Sequence, residues 1–177
     1  QVIASERPIP HDPSGYLEYI NNEIPNLNPD ILLYLQEAIR SYNIGSLLAS
    51  MVMLGCAAEK SLLLLIESFI KSLPNEIIRK KFKSKIENRF IKKKYDEFSK
   101  ILPTYINQLP RECTENIQNV LLGVFEIIRN VRNDSGHPTG RIVSKAKAFA
   151  LLQIFIEYCK IVYGLIDFFN NNELSEL

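Results

Sequence analysis

From Ala148 to Phe169 the chain is apolar on nearly every face of a helix, interrupted by charge only at Glu157, Lys160 and Asp167. A helix of that kind cannot lie at a surface. It is either central in a bundle or covered by a second subunit. The rest of the chain must then be arranged to cover it, and its apolar residues recur at helical rather than strand spacing.

The punctuation agrees. Asp12-Pro13 reads as a cap and first-turn proline opening a short helix that ends before Pro25, and Asn28-Pro29-Asp30 repeats the signal. The second helix carries Ile31, Leu32, Leu35, Ala38, Ile39 and Tyr42 at helical spacing, and Asn43 to Gly45 interrupts it. A long helix to about Leu73 follows, with Leu48, Val52, Gly55, Ala58, Leu62, Leu63, Ile66 and Ile70 on its inner side, and Pro74 stops it. Its small residues Gly45, Ala49, Gly55, Ala57 and Ala58 allow a neighbouring helix to approach closely.

Next comes a basic helix whose core stripe steps through Ile78, Phe82, Ile86 and Phe90, then Tyr95, Phe98 and Ile101. Residues 102–113 read as a connection. Thr114 is the expected cap of a helix with stripe Ile117, Val120, Leu121, Val124, Ile128 and Val131, ending in a turn over Asn133–Gly136. Pro138 disfavours helical geometry at His137, and Ser144 starts the last helix. The expected fold is all-α, an up-and-down bundle of four to five main helices. It has an extended, poorly anchored leader over 1–12, one domain over 13–170 and a polar tail over 171–177.

Composition narrows the class. Hydrophobic residues at 46% and charged ones at 23% suit a globular domain and exclude disorder. The net charge of +1 hides an asymmetry: Glu76 to Lys100 holds ten Lys/Arg against four Asp/Glu. That face either steers a polyanion, through Lys83, Arg89, Lys92 and Lys93 above all, or is simply solvated. Tyr95 or Phe90 would stand near such a groove, although both also fit the core stripe.

Cys56, Cys113 and Cys159 are odd in number, far apart and without nearby histidine, which argues against a zinc site. Cys56 and Cys159 lie in apolar runs and read as buried thiols of a reducing, cytoplasmic compartment. The absence of a basic segment followed by an apolar one after Gln1 reads as no signal peptide, in a chain that is whole or a piece of something longer. Ser41 to Ala58 carries no charge and approaches the roughly 18 apolar residues of a membrane span. Its serines, asparagine and glycine, and the Glu59-Lys60 pair after it, favour a core helix and no membrane.

The chemistry concentrates in Arg129-Asn130-Val131-Arg132-Asn133-Asp134-Ser135-Gly136-His137-Pro138-Thr139-Gly140-Arg141. Arg132 follows the last residue of the inner stripe and so stands at the edge of a packed face. His137, one of two histidines in the chain, lies a few residues on. A fixed cation beside a group that titrates near neutrality suits phosphate-ester chemistry without a metal. The plainer reading is that Asn133 to Gly136 stop a helix, with Arg132 and His137 serving its C-terminal dipole. No GxGxxG, Walker, GxSxG, HExxH or EF-hand pattern occurs.

Arg132-Asn133-Asp134-Ser135-Gly136-His137 resembles the arginine, polar residue, spacer, histidine signature of the HEPN superfamily of helical domains. The run from Ala49 to Lys60 is similar to the second-helix segment of bacterial HEPN-like proteins, where a glutamate follows small residues. The order of elements agrees from about Asp12 to Phe169. The resemblance implies a HEPN-like bundle and a metal-independent endoribonuclease of toxin, phage-defence or RNA-processing type, with no cofactor. It implies Arg132 and His137 as the catalytic pair and Asn133 as their polar support. Attack of a ribose 2′-hydroxyl on the adjacent phosphate would leave a 2′,3′-cyclic phosphate.

Such cleavage uses both a base and an acid, and His11 falls in the leader, so a homodimer bringing two copies of His137 together is expected. Glu59, Arg129, Asp134 and Ser135 are candidates to orient the pair. For Glu59 the equal alternative is a bundle-edge carboxylate paired with lysine. Arg129 and Arg141 read either as phosphate ligands or as surface cations. The expected partners are single-stranded RNA, a second copy of the chain, and a protein antitoxin or nucleotidyltransferase. Two rival readings are a non-catalytic HEPN-like dimerisation or binding module of a toxin–antitoxin or defence system, and a nucleotide-binding helical domain.

Overall fold

Proline at the first helical position, with a capping side chain just before it, starts the first two helices in the computed structural model, which describes residues 9–114, 117–137, 140 and 142–176. Helix α1 spans Pro13–Glu23, and the Gly15 amide donates to Asp12 Oδ1 at 3.0 Å. Helix α2 spans Pro29–Asn43, and the Asp30 amide donates to Asn28 Oδ1 at 2.9 Å. The chain turns at Gly45, whose φ of +81° suits a residue without a Cβ. Helix α3, Leu47–Ser72, follows.

Then come α4 (Glu76–Ile86), α5 (Ile91–Ile101), a 3₁₀ segment (Leu102–Gln108) and α6 (Arg111–Thr114). A π-helical stretch (Ile117–Gly123), α7 (Val124–Gly136) and α8 (Lys145–Asn171) complete the chain. Every regular element among the described residues is helical, so the protein is all-α, with eight α-helices where four to five main ones were expected.

Several boundaries depart from the expectation for identifiable reasons. The basic helix is two helices. Glu87 closes α4 through its amide on the Lys83 carbonyl at 2.8 Å, and Asn88 takes a left-handed φ of 54°, which asparagine tolerates better than most residues. The side chain of Phe90 consequently leaves the core stripe and stands exposed. Thr114 ends α6, its hydroxyl donating to the Arg111 carbonyl at 3.0 Å, instead of capping the next helix. The helix expected to end in a turn over Asn133–Gly136 instead stays helical through Gly136, with the His137 amide on the Asn133 carbonyl at 3.1 Å. Ser144 does start α8: the Lys147 amide donates to its hydroxyl at 3.2 Å.

In α3 the expected inner residues Gly55, Ala58, Leu62, Ile66 and Ile70 are buried, but the buried face is wider than expected and Leu48, Val52 and Leu63 fall outside it. Leu48 is exposed and Val52 and Leu63 are half-buried, while Leu54, Ala57, Leu65 and Phe69 are sealed along with Ser50, Ser61, Ser68 and Ser72. Small serines fit between closely packed helices, and Ser72 returns its hydroxyl to the Phe69 carbonyl at 2.8 Å. The expectation of a buried Cys56 also fails, since that thiol is half-buried; Cys113 and Cys159 are the buried ones. Burial pushes the Cys159 thiol well above its ordinary range, against a smaller opposing effect of a hydrogen bond with Ser61.

The residues group into two compact units. The first comprises residues through 58 together with 126–157, and the second comprises 59–125 together with residues from 158 onward. In the first, Tyr16, Ile20, Leu35, Ile39, Leu152 and Phe155 are sealed, and the Tyr16 hydroxyl donates to the Leu152 carbonyl. The end of the leader is anchored here, contrary to expectation: Pro10 is buried, its carbonyl accepts from Asn43 Nδ2 at 2.8 Å, and His11 packs edge-on against Tyr42. Residues 1–8 lie outside the described set.

The second unit is organised around Phe69, with Phe82, Phe98, Tyr105 and Phe169 edge-on to it at 5.4–5.9 Å between ring centroids. The expected polar tail is tied down in this unit. Leu174 is buried with its amide on the Ser72 carbonyl at 2.7 Å, and the Ser175 amide donates to Gln108 Oε1 at 2.7 Å. Helices α3 and α8 are long and apolar enough to cross a membrane, and 56% and 44% of their most apolar windows are buried within the protein.

Candidate functional site

The apolar stripe Ile128–Val131 turns one face of α7 inward, and the residue after it is carried to the margin of that face. Arg132 is half-buried there. What lets it in is Gly55 on α3. A Cβ built on Gly55 would lie 2.2 Å from Arg132 Cγ and 2.4 Å from its Cβ, so the missing side chain is the space that the arginine stem occupies. One turn along α7, a Cβ on Gly136 would lie 3.9 Å from Val52 Cγ2. Residues 132 and 136 thus oppose 55 and 52 in turn, so α7 runs antiparallel to this part of α3.

The seat fixes the charged end as well as the stem. Arg132 Nη1 donates to Asn133 Oδ1 at 3.2 Å, which makes Asn133 a local support for the guanidinium. Gly55→Ala is expected to be destabilising: about 1–3 kcal/mol of overpacking outweighs the roughly 1 kcal/mol that alanine gains over glycine within a helix. Adding Arg132→Ala should restore only part of the loss, because the arginine Cβ remains in the way. Urea unfolding of both variants checks this, and a Gly55→Ala protein more stable than the parent would contradict it.

His137 is exposed at the end of α7. Because the helix continues to Gly136, positions 132 and 137 are not folded back on one another. At 3.6 residues per turn they point about 140° apart and are displaced by about 7.5 Å along the axis. The turn expected over Asn133–Gly136 would have returned His137 towards Arg132, and helical geometry replaces that turn. Asp134 is half-buried. Ser135 is half-buried too, and its buried hydroxyl has no hydrogen-bond partner among the described residues.

Arg129 has a different occupation. Its side chain is 11% exposed and grips Glu126 through Nη2 at 2.8 Å and Nε at 3.3 Å, with a further bond from Nη2 to Asn130 at 3.0 Å. Glu126 escaped the sequence reading, although its i,i+3 spacing from Arg129 is the signal that would have found it. Glu59 is half-buried and belongs to the other unit. Pro138 and Arg141 lie outside the described residues.

The basic candidates fall in the second unit and differ among themselves. Lys92 pairs with Asp96 and Lys93 with Glu97, each at 2.8 Å. The Lys93 hydrogen bond is the main influence holding the Glu97 carboxyl below its ordinary range, with Lys100 adding to it against partial burial. Lys83 and Arg89 have no acidic partner among the described residues. Those residues include no cluster of His, Cys, Asp or Glu able to hold a metal ion. No family model, curated protein or solved structure matches the chain.

Proposed function

We propose that the chain is a HEPN-like helical bundle domain that cleaves single-stranded RNA, with Arg132 and His137 as the reacting groups in a cleft shared by two copies. The observation that carries the reading is the seating of Arg132. A glycine clears room for its stem, Asn133 Oδ1 holds its guanidinium, and the helix that bears it ends in an exposed histidine. An arginine fixed in this way is preorganised for the charge that develops on phosphate oxygens.

In the proposed reaction one His137 takes the proton of a ribose 2′-hydroxyl as its oxygen bonds to the adjacent phosphorus. Arg132 holds the non-bridging oxygens. The bond from phosphorus to the 5′-oxygen breaks, and His137 of the second copy protonates that leaving oxygen. The products are a 2′,3′-cyclic phosphate and a 5′-hydroxyl. The second copy is part of the reading because the reaction uses both a base and an acid, and each protomer contributes one His137. The domain is assigned to the cytoplasm, in a toxin, defence or RNA-processing setting, with an antitoxin or nucleotidyltransferase as protein partner.

The test is cleavage of single-stranded RNA in EDTA by protein whose oligomeric state is measured by sedimentation. The dimer should cut. Arg132→Ala should lose about 10²–10³-fold in rate, as removal of a preorganised donor does, and Arg132→Lys should recover little, because an ammonium lacks the planar fork. A protein that sediments as a monomer at micromolar concentration would contradict the dimeric site. The divergence of Arg132 and His137 favours a second reading, a non-catalytic RNA-binding or dimerisation module. Its signature would be RNA bound by the folded protein and left uncut.

A further inference from the structure

We propose that the turn between α4 and α5 is a second binding element, a tip on which Phe90 stacks a base of single-stranded RNA while Lys83, Arg89 and Lys94 hold the flanking phosphates. The first observation is the ring itself, which is 91% exposed. A phenylalanine left in water forfeits the favourable burial of its apolar ring. The backbone there is hydrogen-bonded on both sides of the ring. The Arg89 amide donates to the Ile86 carbonyl at 3.2 Å, and Asn88 takes its left-handed φ of 54°. The Phe90 carbonyl accepts from the amides of Lys93 at 3.0 Å and Lys94 at 3.2 Å. Phe90 is therefore the N-cap residue of α5, and its side chain is held outward by the turn.

The second observation is charge. From Lys83 to Lys94 there are six cations and one carboxylate, Glu87. Asp96 and Glu97, further along α5, take up Lys85, Lys92 and Lys93. Lys83, Arg89 and Lys94 are left with no acidic partner among the described residues. Three lysines in the first turn of α5 also oppose the positive end of its helix dipole, an arrangement that a bound polyanion relieves.

A lone ring among cations selects the partner's chemistry. Lying in a membrane surface requires a continuous apolar face, whereas Phe90 follows the exposed polar residues Glu87, Asn88 and Arg89. Stacking one base requires one aromatic face, and neighbouring cations track the phosphates. The choice of RNA rests on the proposed cleavage reading, while the surface itself lies in the other unit.

The experiment uses the full chain with His137→Ala, so that RNA is not consumed, and a short fluorescent oligouridylate in EDTA. Adding Phe90→Ala should weaken binding about tenfold, and Phe90→Trp should restore it. Changing Lys83, Arg89 and Lys94 together to glutamine should flatten the slope of log affinity against log salt by about 2. Unchanged RNA affinity in Phe90→Ala would overturn the inference even if the parent protein cuts RNA. Phe90-dependent binding by a protein that never cuts would uphold the tip and refute the cleavage reading. Loss of phosphatidylserine-vesicle binding in Phe90→Ala, with RNA affinity intact, would give the tip to a membrane instead.

Discussion

Phe69→Ala is expected to lower the stability of the second unit by about 3–5 kcal/mol, the range for removing a buried phenylalanine that its surroundings cannot refill. Phe69 is fully buried, and four rings meet it edge-on, supplied by α4, α5, the 3₁₀ segment and α8. Removing the ring deletes the partner of all four contacts at once, each worth about 0.5–1.5 kcal/mol beyond area burial. Collapse is hindered because the four neighbours belong to separate elements. Near-ultraviolet circular dichroism should lose amplitude with the stability, since the aromatic cluster sits in this unit. Urea unfolding measures the loss, and a change below about 1 kcal/mol would mean that Phe69 is not the hub of the cluster.

The second large effect concerns chemistry. His137→Ala should reduce RNA cleavage by about 10²–10⁴-fold, the usual worth of a positioned acid or base. In a shared cleft the substitution removes both proton carriers, so the larger end of that range is expected. Stability should hardly move, because His137 is exposed and the backbone bond from its amide to Asn133 does not depend on the side chain. That separation of activity from folding distinguishes a reacting group from a structural one.

How far the sequence reveals this molecule depends on what kind of signal each feature leaves. The starts of α1 and α2 were legible because Asp12-Pro13 and Asn28-Pro29 encode a cap and a fixed φ within neighbouring residues. The inward face of α7 was legible from Ile128 and Val131, and with it the marginal position of Arg132. Gly55 was legible as a site of close approach, though not as the seat of a particular arginine.

Other features leave no periodic trace. Phe90 lies four residues after Ile86, so spacing alone extends the core stripe across a turn that one left-handed asparagine creates. The π-helical form of Ile117–Gly123 was not legible, although the expected stripe of Ile117, Leu121, Val124, Ile128 and Val131 is buried across it. The serines sealed in α3 look solvent-facing by composition, and only close helix packing explains them. The turn expected over Asn133–Gly136 failed for a similar reason. Asn, Asp, Ser and Gly favour turns, but the helical bond from the His137 amide to Asn133 outweighs that preference here.

In the proposed reaction this chain makes a 2′-hydroxyl attack its neighbouring phosphate through His137. The most direct measurement is the fate of a labelled single-stranded RNA incubated with the protein in EDTA, beside the same sequence built with 2′-deoxyribose. The expected result is RNA fragments ending in a 2′,3′-cyclic phosphate, an intact deoxy strand, and no cleavage of either by folded His137→Ala. RNA that stays whole with the folded parent protein, a deoxy strand that is cut, or equal cleavage by His137→Ala would contradict it.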